Sequence, residues 1–200
     1  YNPNPALRDA WLRKDFSAVI LNIGTLSDLS VELIKGGIPY VASVNCAFAS
    51  NEVFMENGLL PVFEHLARRG AKHIGVISLD GNINQAIENK FDHEARLRLE
   101  AMSLIFSDIR PGDELNIFDA IIATDDFEAL KHIMELMKFK DHSKVVIFAN
   151  AAMSFPAQFS RVTIRPEAVA QALWELLCLQ FSSGSNAVSS RMIKYEYDLK

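Results

Sequence analysis

The chain is short of basic charge, cysteine and glycine, and each shortage removes a class of function. Its 20 Lys and Arg are outnumbered by 25 Asp and Glu, giving a net charge of −5 and a pI near 5.5. Nucleic acid is gripped by Lys and Arg gathered on one face, and the sequence holds no such cluster. Its two cysteines, Cys46 and Cys178, are far apart and sit in apolar surroundings, which points to reduced core thiols instead of a bridge or a metal pair. His65, His73, His93, His132 and His142 show no His-x-x-x-His spacing, so no metal or other cofactor is expected. Neither Gly-x-Gly-x-x-Gly, a P-loop nor Gly-x-Ser-x-Gly occurs, and the commonest routes to a nucleotide-dependent or hydrolytic enzyme fall away. No apolar run approaches a membrane span, and the opening Tyr-Asn-Pro-Asn-Pro lacks the order of a signal peptide. A cytoplasmic protein with no membrane partner is the expectation.

What is present is apolar: half of the 200 residues, enough to bury a core in one domain or two small ones. Residues 18–23, Ala-Val-Ile-Leu-Asn-Ile, form a continuous apolar run of strand length, the mark of a strand covered on both faces. Leu26, Leu29, Leu33 and Ile34 then recur at helical spacing up to Gly36 and Gly37, and 38–44 reads as a second buried strand. A short extended piece at 51–55 precedes a helix at 58–69 with Leu59, Val62, Phe63 and Leu66 as its apolar stripe, and 73–79 is the next strand. Strands alternating with helices in this order predict a parallel sheet with right-handed crossovers. Residues 81–89 are polar and read as a loop or hinge, followed by a charged helix at 92–106 and a turn at 110–113. A strand at 120–124, a helix at 127–138, a strand at 144–148 and an extended piece at 161–164 come next. Pro166 opens a helix at 167–181, and a Ser- and Gly-rich loop leads to a last alternating strand at 192–197.

The most informative stretch is Phe118 to Leu130, a short apolar strand that ends in two carboxylates, Asp125 and Asp126, and turns at once into a helix. Ligands of parallel sheets gather beyond the carboxyl ends of the strands, so this corner is a candidate binding site. An Asp at a helix start also caps free amide groups, and one of the pair is expected to cap while the other faces a ligand. A catalytic dyad is a third reading, and it requires convergent geometry that two neighbours at such a corner do not readily share. Asn22, Asn45 and Asn150 fall at or just beyond predicted strand ends, where an amide can bind a polyol or base or satisfy its own turn. Phe48, Phe148 and Phe155 could supply ring surfaces to a ligand or belong to the core.

The ordered series of elements and short matches resembles the effector-binding region of the LacI/GalR transcriptional regulators. The carriers are Ile38 to Val41 with Val44-Asn45, Glu56-Asn57-Gly58, His65-Leu66 with Gly70, His73 to Ile77, Asp119 to Ala123 with Asp125, Asp126 and Ala129, Val145 to Phe148, and Thr163 to Pro166. The resemblance implies an α/β, two-lobed, periplasmic-binding-protein-like (type I) fold with parallel sheets flanked by helices, incomplete at its N-terminus. Residues 1–78 plus 161–181 would form the N-terminal lobe, and 79–160 plus 182–200 the other. It implies a sensor that holds a small polar effector, sugar-like or nucleobase-like, in the interlobe cleft through Asn22, Asn45, Phe48, Arg98, Asp125, Asp126, Phe148 and Asn150. Arg98, with Ala101 three residues on where the family has Gly, is the best match to its Arg-x-x-Gly. It further implies a homodimer whose contacts include the helix Leu26 to Lys35, no catalytic residue, and contact with DNA only through a separate N-terminal domain. Two departures stand out: Asp125 replaces the favoured Asn, and Ala149 replaces an Asp whose carboxylate would accept ligand hydroxyls. The alternatives are an extracytoplasmic solute-binding protein of the same fold and an enzyme with Asp126 or Asp125 as base.

Overall fold

The computed structural model describes residues 9–10, 13, 17–21, 40–43, 51–55, 57–78, 82–150, 153–183 and 189–200, so the expected helix at 26–35 lies outside the described residues. Its backbone divides into two compact units, residues 1–56 with 166–194 and residues 57–165 with 195–200.

In the first unit, β1 (Val19–Leu21), β2 (Tyr40–Ser43), β3 (Asn51–Met55) and β9 (Ser189–Ile193) form a four-stranded sheet in the order β1-β2-β3-β9. Every pairing in it is parallel. The long helix α6 (Pro166–Ser183) covers this sheet, starting at Pro166 because a missing N–H costs nothing in the first turn. Its Ala172, Leu173, Leu176 and Leu177 are buried against Val41 and Val53. Gln180 is 2 % exposed, and its amide is satisfied by the strand backbone: Oε1 accepts from the Tyr40 N–H at 2.9 Å and Nε2 donates to the Tyr40 carbonyl. Cys178, expected in the core, is exposed on α6 because the helix turns its 172, 173, 176, 177 and 180 positions toward the sheet and 178 away from it.

The second unit is a three-layer α/β structure. Its elements are α1 (Leu59–Arg68), β4 (His73–Ile77), α2 (Ile83–Lys90), α3 (His93–Met102), β5 (Ile105–Asp108), β6 (Ala120–Ala123), α4 (Asp126–Lys131), α5 (Ile133–Leu136), β7 (Val145–Asn150), β8 (Ser160–Ile164) and β10 (Glu196–Asp198). The strand order is β10-β8-β7-β6-β4-β5, with only β10 antiparallel to its neighbour. Alternation of side chains along each strand feeds two cores. Ile74, Val76, Ala120, Ile122, Val146 and Val162 meet Leu59, Val62, Phe63 and Leu66 of α1 and Ile83 and Ile87 of α2 on one face. Ile121, Ala123, Val145, Ile147 and Ala149 meet Ala129, Leu136, Phe155 and Phe159 on the other. Strands covered on both faces must be apolar at consecutive positions, which is why these runs are continuous. Phe63, fully buried and stacked with Phe91 and tilted on Phe106 at centroid distances of 6.0 and 4.7 Å, contributes roughly 2–3 kcal/mol by burial alone.

Four expectations change. The lobe boundaries read from the sequence differ from the observed division, because β4 pairs with β5 and β6 and so draws 57–78 into the second unit, while 182–194 belongs to the first. Residues 83–90, read as loop, are helix α2: Asn82 Oδ1 accepts from the Gln85 N–H at 3.0 Å, and Ile83 and Ile87, four apart, reach the core. The helix expected to run to residue 106 ends at Met102, where Ser103 takes a left-handed φ of 52°, and the chain enters edge strand β5. The single last strand at 192–197 is two strands, β9 and β10, each in a different sheet.

Candidate functional site

The chain leaves β4 to build β5 on one side of it and returns to build β6 on the other, so the strand order reverses between β4 and β6. Helices α2 and α3 cover one face before the reversal and α4 and α5 the opposite face after it, so the carboxyl ends of β4 and β6 mark the switch point of this sheet. Open α/β sheets bind ligands at such a point. The Thr124 N–H donates to the Ile77 carbonyl at 3.0 Å and Thr124 Oγ1 to the same carbonyl at 3.4 Å, joining the ends of the two strands. The two carboxylates follow directly.

Their roles separate. Asp125 is the N-cap of α4: extended at φ −146° and ψ 140°, its Oδ1 accepts from the N–H groups of Phe127 at 2.9 Å and Glu128 at 3.1 Å. A carboxylate holding two amides of a first turn is occupied, and the capping alternative describes Asp125. Asp126, the first residue of α4, is 9 % exposed and stands among the unit's few buried polar residues. Asp108, at the end of β5 beside β4, completes the edge; its Oδ1 accepts from the Ile83 N–H at 3.0 Å and starts α2. Sequence reasoning missed Asp108 because it read β5 as the end of a helix.

Of the remaining expected residues, Arg98 and Phe148 are not brought to this corner. Arg98 is exposed on α3, and its Nη2 is paired with Glu64 Oε1 of α1. It serves the surface between two helices, a contact worth about 0–1 kcal/mol, and does not face the strand ends. Phe148 lies on the α1 side of the sheet, its ring 5.6 Å from that of Tyr195 in an edge-to-face arrangement, and a Cβ on Gly58 would come within 3.0 Å of it. It is a core ring in place of the expected ligand wall. Asn150 ends β7 in register with Ile164. Asn22, Asn45 and Phe48 lie outside the described residues. Among the described residues no group of three or more His, Cys, Asp or Glu could hold a metal ion, and no helix is long and apolar enough to cross a membrane.

Architecture and site together define a class: a two-unit, parallel α/β domain of the periplasmic-binding-protein type. Solved structures of LacI-family transcriptional regulators share this fold. A periplasmic binding protein/LacI transcriptional regulator from Alkaliphilus metalliredigens, complexed with D-xylulofuranose, superposes with a TM-score of 0.67 at 18 % identity, covering 98 % of this chain and 82 % of that one. A LacI family regulator from Enterococcus faecium with bound ribose gives 0.69 at 12 % identity, covering 98 % and 83 %. The transcriptional regulator CelR in complex with cellobiose gives 0.71 at 14 % identity, covering 96 % and 68 %. No family model matches the sequence, and no curated protein does either.

Proposed function

We propose that this chain is the ligand-sensing domain of a LacI-type transcriptional regulator, which binds a small polar effector and controls a separate DNA-binding domain. The observation that carries the reading is the reversal of strand order between β4 and β6 with the buried carboxylate of Asp126 at its mouth. The likeness to regulators solved with xylulofuranose, ribose and cellobiose supports a sugar-like ligand. A carboxylate in a low-dielectric crevice accepts hydroxyl donors strongly and gives a polyol a fixed orientation. The effector regulates by binding two conformations of the domain with different affinity.

A thermal-shift screen with pentoses, hexoses, disaccharides and nucleosides tests this, since a ligand bound only by the folded state stabilises it by about 2.7 kcal/mol at one hundred times its Kd. At least one compound is expected to raise the melting temperature, and Asp126→Asn is expected to weaken that compound about tenfold or more, the scale of one lost charge-assisted hydrogen bond. Silence across the whole panel would sink the reading.

The proposed regulator is a homodimer. The helix first expected at its interface lies outside the described residues, but large apolar side chains are exposed along α4, α5 and the residue that follows: Phe127 and Met134 are 68 % and 67 % exposed and Leu130 and Met137 both 39 %. Large apolar side chains exposed close together in the chain are candidates for a protein contact site. Sedimentation velocity at tens of micromolar, a concentration order above ordinary dimer dissociation constants, should show a dimer that Met134→Glu converts to monomer. Only monomer in the parent protein would remove this part.

A further inference from the structure

The amino ends of the strands of the second unit, at the opposite end of the sheet from the Asp126 corner, gather cations that the sequence scatters over residues 68–144. Arg68 and Arg69 close α1, and Lys72 stands directly before β4. Lys144 stands directly before β7. Lys140 is tied to the turn that precedes β6: its Nζ donates to the Asn116 carbonyl and its backbone N–H to Asn116 Oδ1, both at 3.2 Å. Because β4, β6 and β7 are parallel neighbours, their entries lie side by side. Two further contacts close the group. Arg69 Nη2 donates to Ser143 Oγ at 2.8 Å, and Asp119 Oδ2, at the entry of β6, accepts from the Lys72 N–H at 2.9 Å. Arg68, Arg69, Lys72 and Lys140 are exposed, and Lys144 is half-buried.

These cations outnumber the carboxylates that meet them. Arg68, Lys72, Lys140 and Lys144 form no ion pair among the described residues, whereas Arg98, Lys131, Arg165 and Lys200 each hold a carboxylate. Arg69 donates to the Ser143 hydroxyl and the Lys200 carbonyl. Asp119 and Asp141 lie among the cations, but both are engaged in fixing the chain. Asp119 holds the N–H groups of Lys72 and His73, and Asp141 Oδ1 accepts from the Ser143 hydroxyl at 2.6 Å and its N–H at 3.1 Å. A basic surface on a chain of net charge −5 runs against the overall field, and clustered like charges repel until an opposite charge meets them.

We propose that this end of the second unit docks an acidic segment of another protein. A lysine head is a compact point charge on a flexible stem, which suits carboxylates at irregular spacing. A DNA duplex presents closely and evenly spaced phosphates, and these would be set against Asp119 and Asp141 as well as the cations. The surface shares no residue with the Asp126 corner, so the proposal stands apart from the sensor reading.

The test is fluorescence anisotropy of a labelled octaglutamate peptide titrated with the full chain. The proposal expects saturable binding that weakens as salt rises from about 0.01 to about 0.1 M, where the Debye length shrinks from about 30 to about 10 Å. One exposed ion pair is worth up to about fivefold in affinity, so Lys72→Gln, Lys140→Gln and Lys144→Gln combined should weaken the peptide about tenfold or more. The urea midpoint of this triple variant should stay at that of the parent chain, since none of the three side chains holds a carboxylate. A charge-matched control from elsewhere in the unit, Arg110→Gln, Lys131→Gln and Arg165→Gln, should bind the peptide as the parent does. Equal weakening in the control would reduce the effect to net charge and overturn the proposal. So would a triple variant that binds like the parent, or a peptide that does not bind. Duplex DNA bound more tightly than the peptide, and lost in the same triple variant, would overturn the assignment to an acidic protein segment and give the surface to nucleic acid.

Discussion

Gly75→Val is expected to lower the stability of the second unit by about 3 kcal/mol, at the upper end of the cost of overpacking a filled core. Gly75 is the middle residue of β4, hydrogen-bonded on one side to β5 and on the other to β6. A Cβ there would stand 2.5 Å from Ile109 Cδ1, 2.8 Å from Phe118 Cδ2 and 2.9 Å from Phe118 Cγ. The Ile109 methyl is the free end of a flexible chain and can rotate away. Phe118 Cγ is one bond from its Cβ, and its ring is wedged against His73 at a centroid distance of 4.8 Å, so it can yield only if the 115–118 segment moves. The two γ-methyls of valine add to that displacement. Urea unfolding followed by circular dichroism should show the lower midpoint. The change should also weaken any ligand, because β4 and β6 together carry the corner. A variant with the midpoint of the parent chain would contradict this packing account.

Asp119→Ala is expected to cost about 2 kcal/mol near neutral pH, and much less in acid. Asp119 Oδ2 accepts from the backbone N–H groups of Lys72 at 2.9 Å and His73 at 3.0 Å, pinning the entry of β4 beside the entry of β6. Hydrogen bonds to a charged acceptor contribute about 1.5–3 kcal/mol each when buried, and the partial exposure of this residue reduces that. The two amides hold the Asp119 carboxyl below the usual carboxylate range, the His73 N–H being the larger cause and the Lys72 N–H the next. A carboxylate whose folded pKa is depressed stabilises the protein above its unfolded value and loses that contribution as the pH falls through the folded value. The difference between parent and variant should therefore shrink once the pH drops below roughly 4. Asp141 acts in the same direction, lowered by the Ser143 hydroxyl. His65 is lowered by burial, with Arg69 and Arg68 adding to the effect. Because the folded state resists protonating it, stability starts to fall as the pH drops below roughly 6.5, before the carboxylates titrate. Urea midpoints between pH 7 and pH 3, spanning those model values, would expose an Asp119 difference that fails to narrow.

How much of this was legible depends on the element. The runs at 74–77, 120–123 and 145–149 announce themselves because strands buried on both faces have no polar positions to confuse the reading. Edge strand β5 does not. Ile105 is 62 % exposed, and Leu104 and Ile105 continue the helical spacing set by Leu97 and Ala101, so periodicity alone extends the helix. In the site, an Asp before a helix is visible as a cap, but two adjacent Asp residues satisfy the same rule, and only the amide hydrogen bonds assign that duty to Asp125. Arg98 illustrates the converse. Its spacing suits a ligand clamp, yet Glu64 on a helix 34 residues earlier holds it.

By itself the sequence determined the local periodicities: parallel α/β organisation, the main strands and helices, and an acidic corner at a strand end. Those follow from side-chain patterns within a few residues. Tertiary structure decided which sheet each strand joins, where residues 189–200 divide between the units, and which side chains meet at the strand-end corner. Backbone hydrogen bonding between strands is nearly independent of side-chain identity, so residues 73–77 could have paired in either sheet until 105–108 and 120–123 took their places beside them. The same pairing sets Arg161 between Ile147 of one neighbouring strand and Asp198 of the other, a juxtaposition that no short stretch of sequence contains.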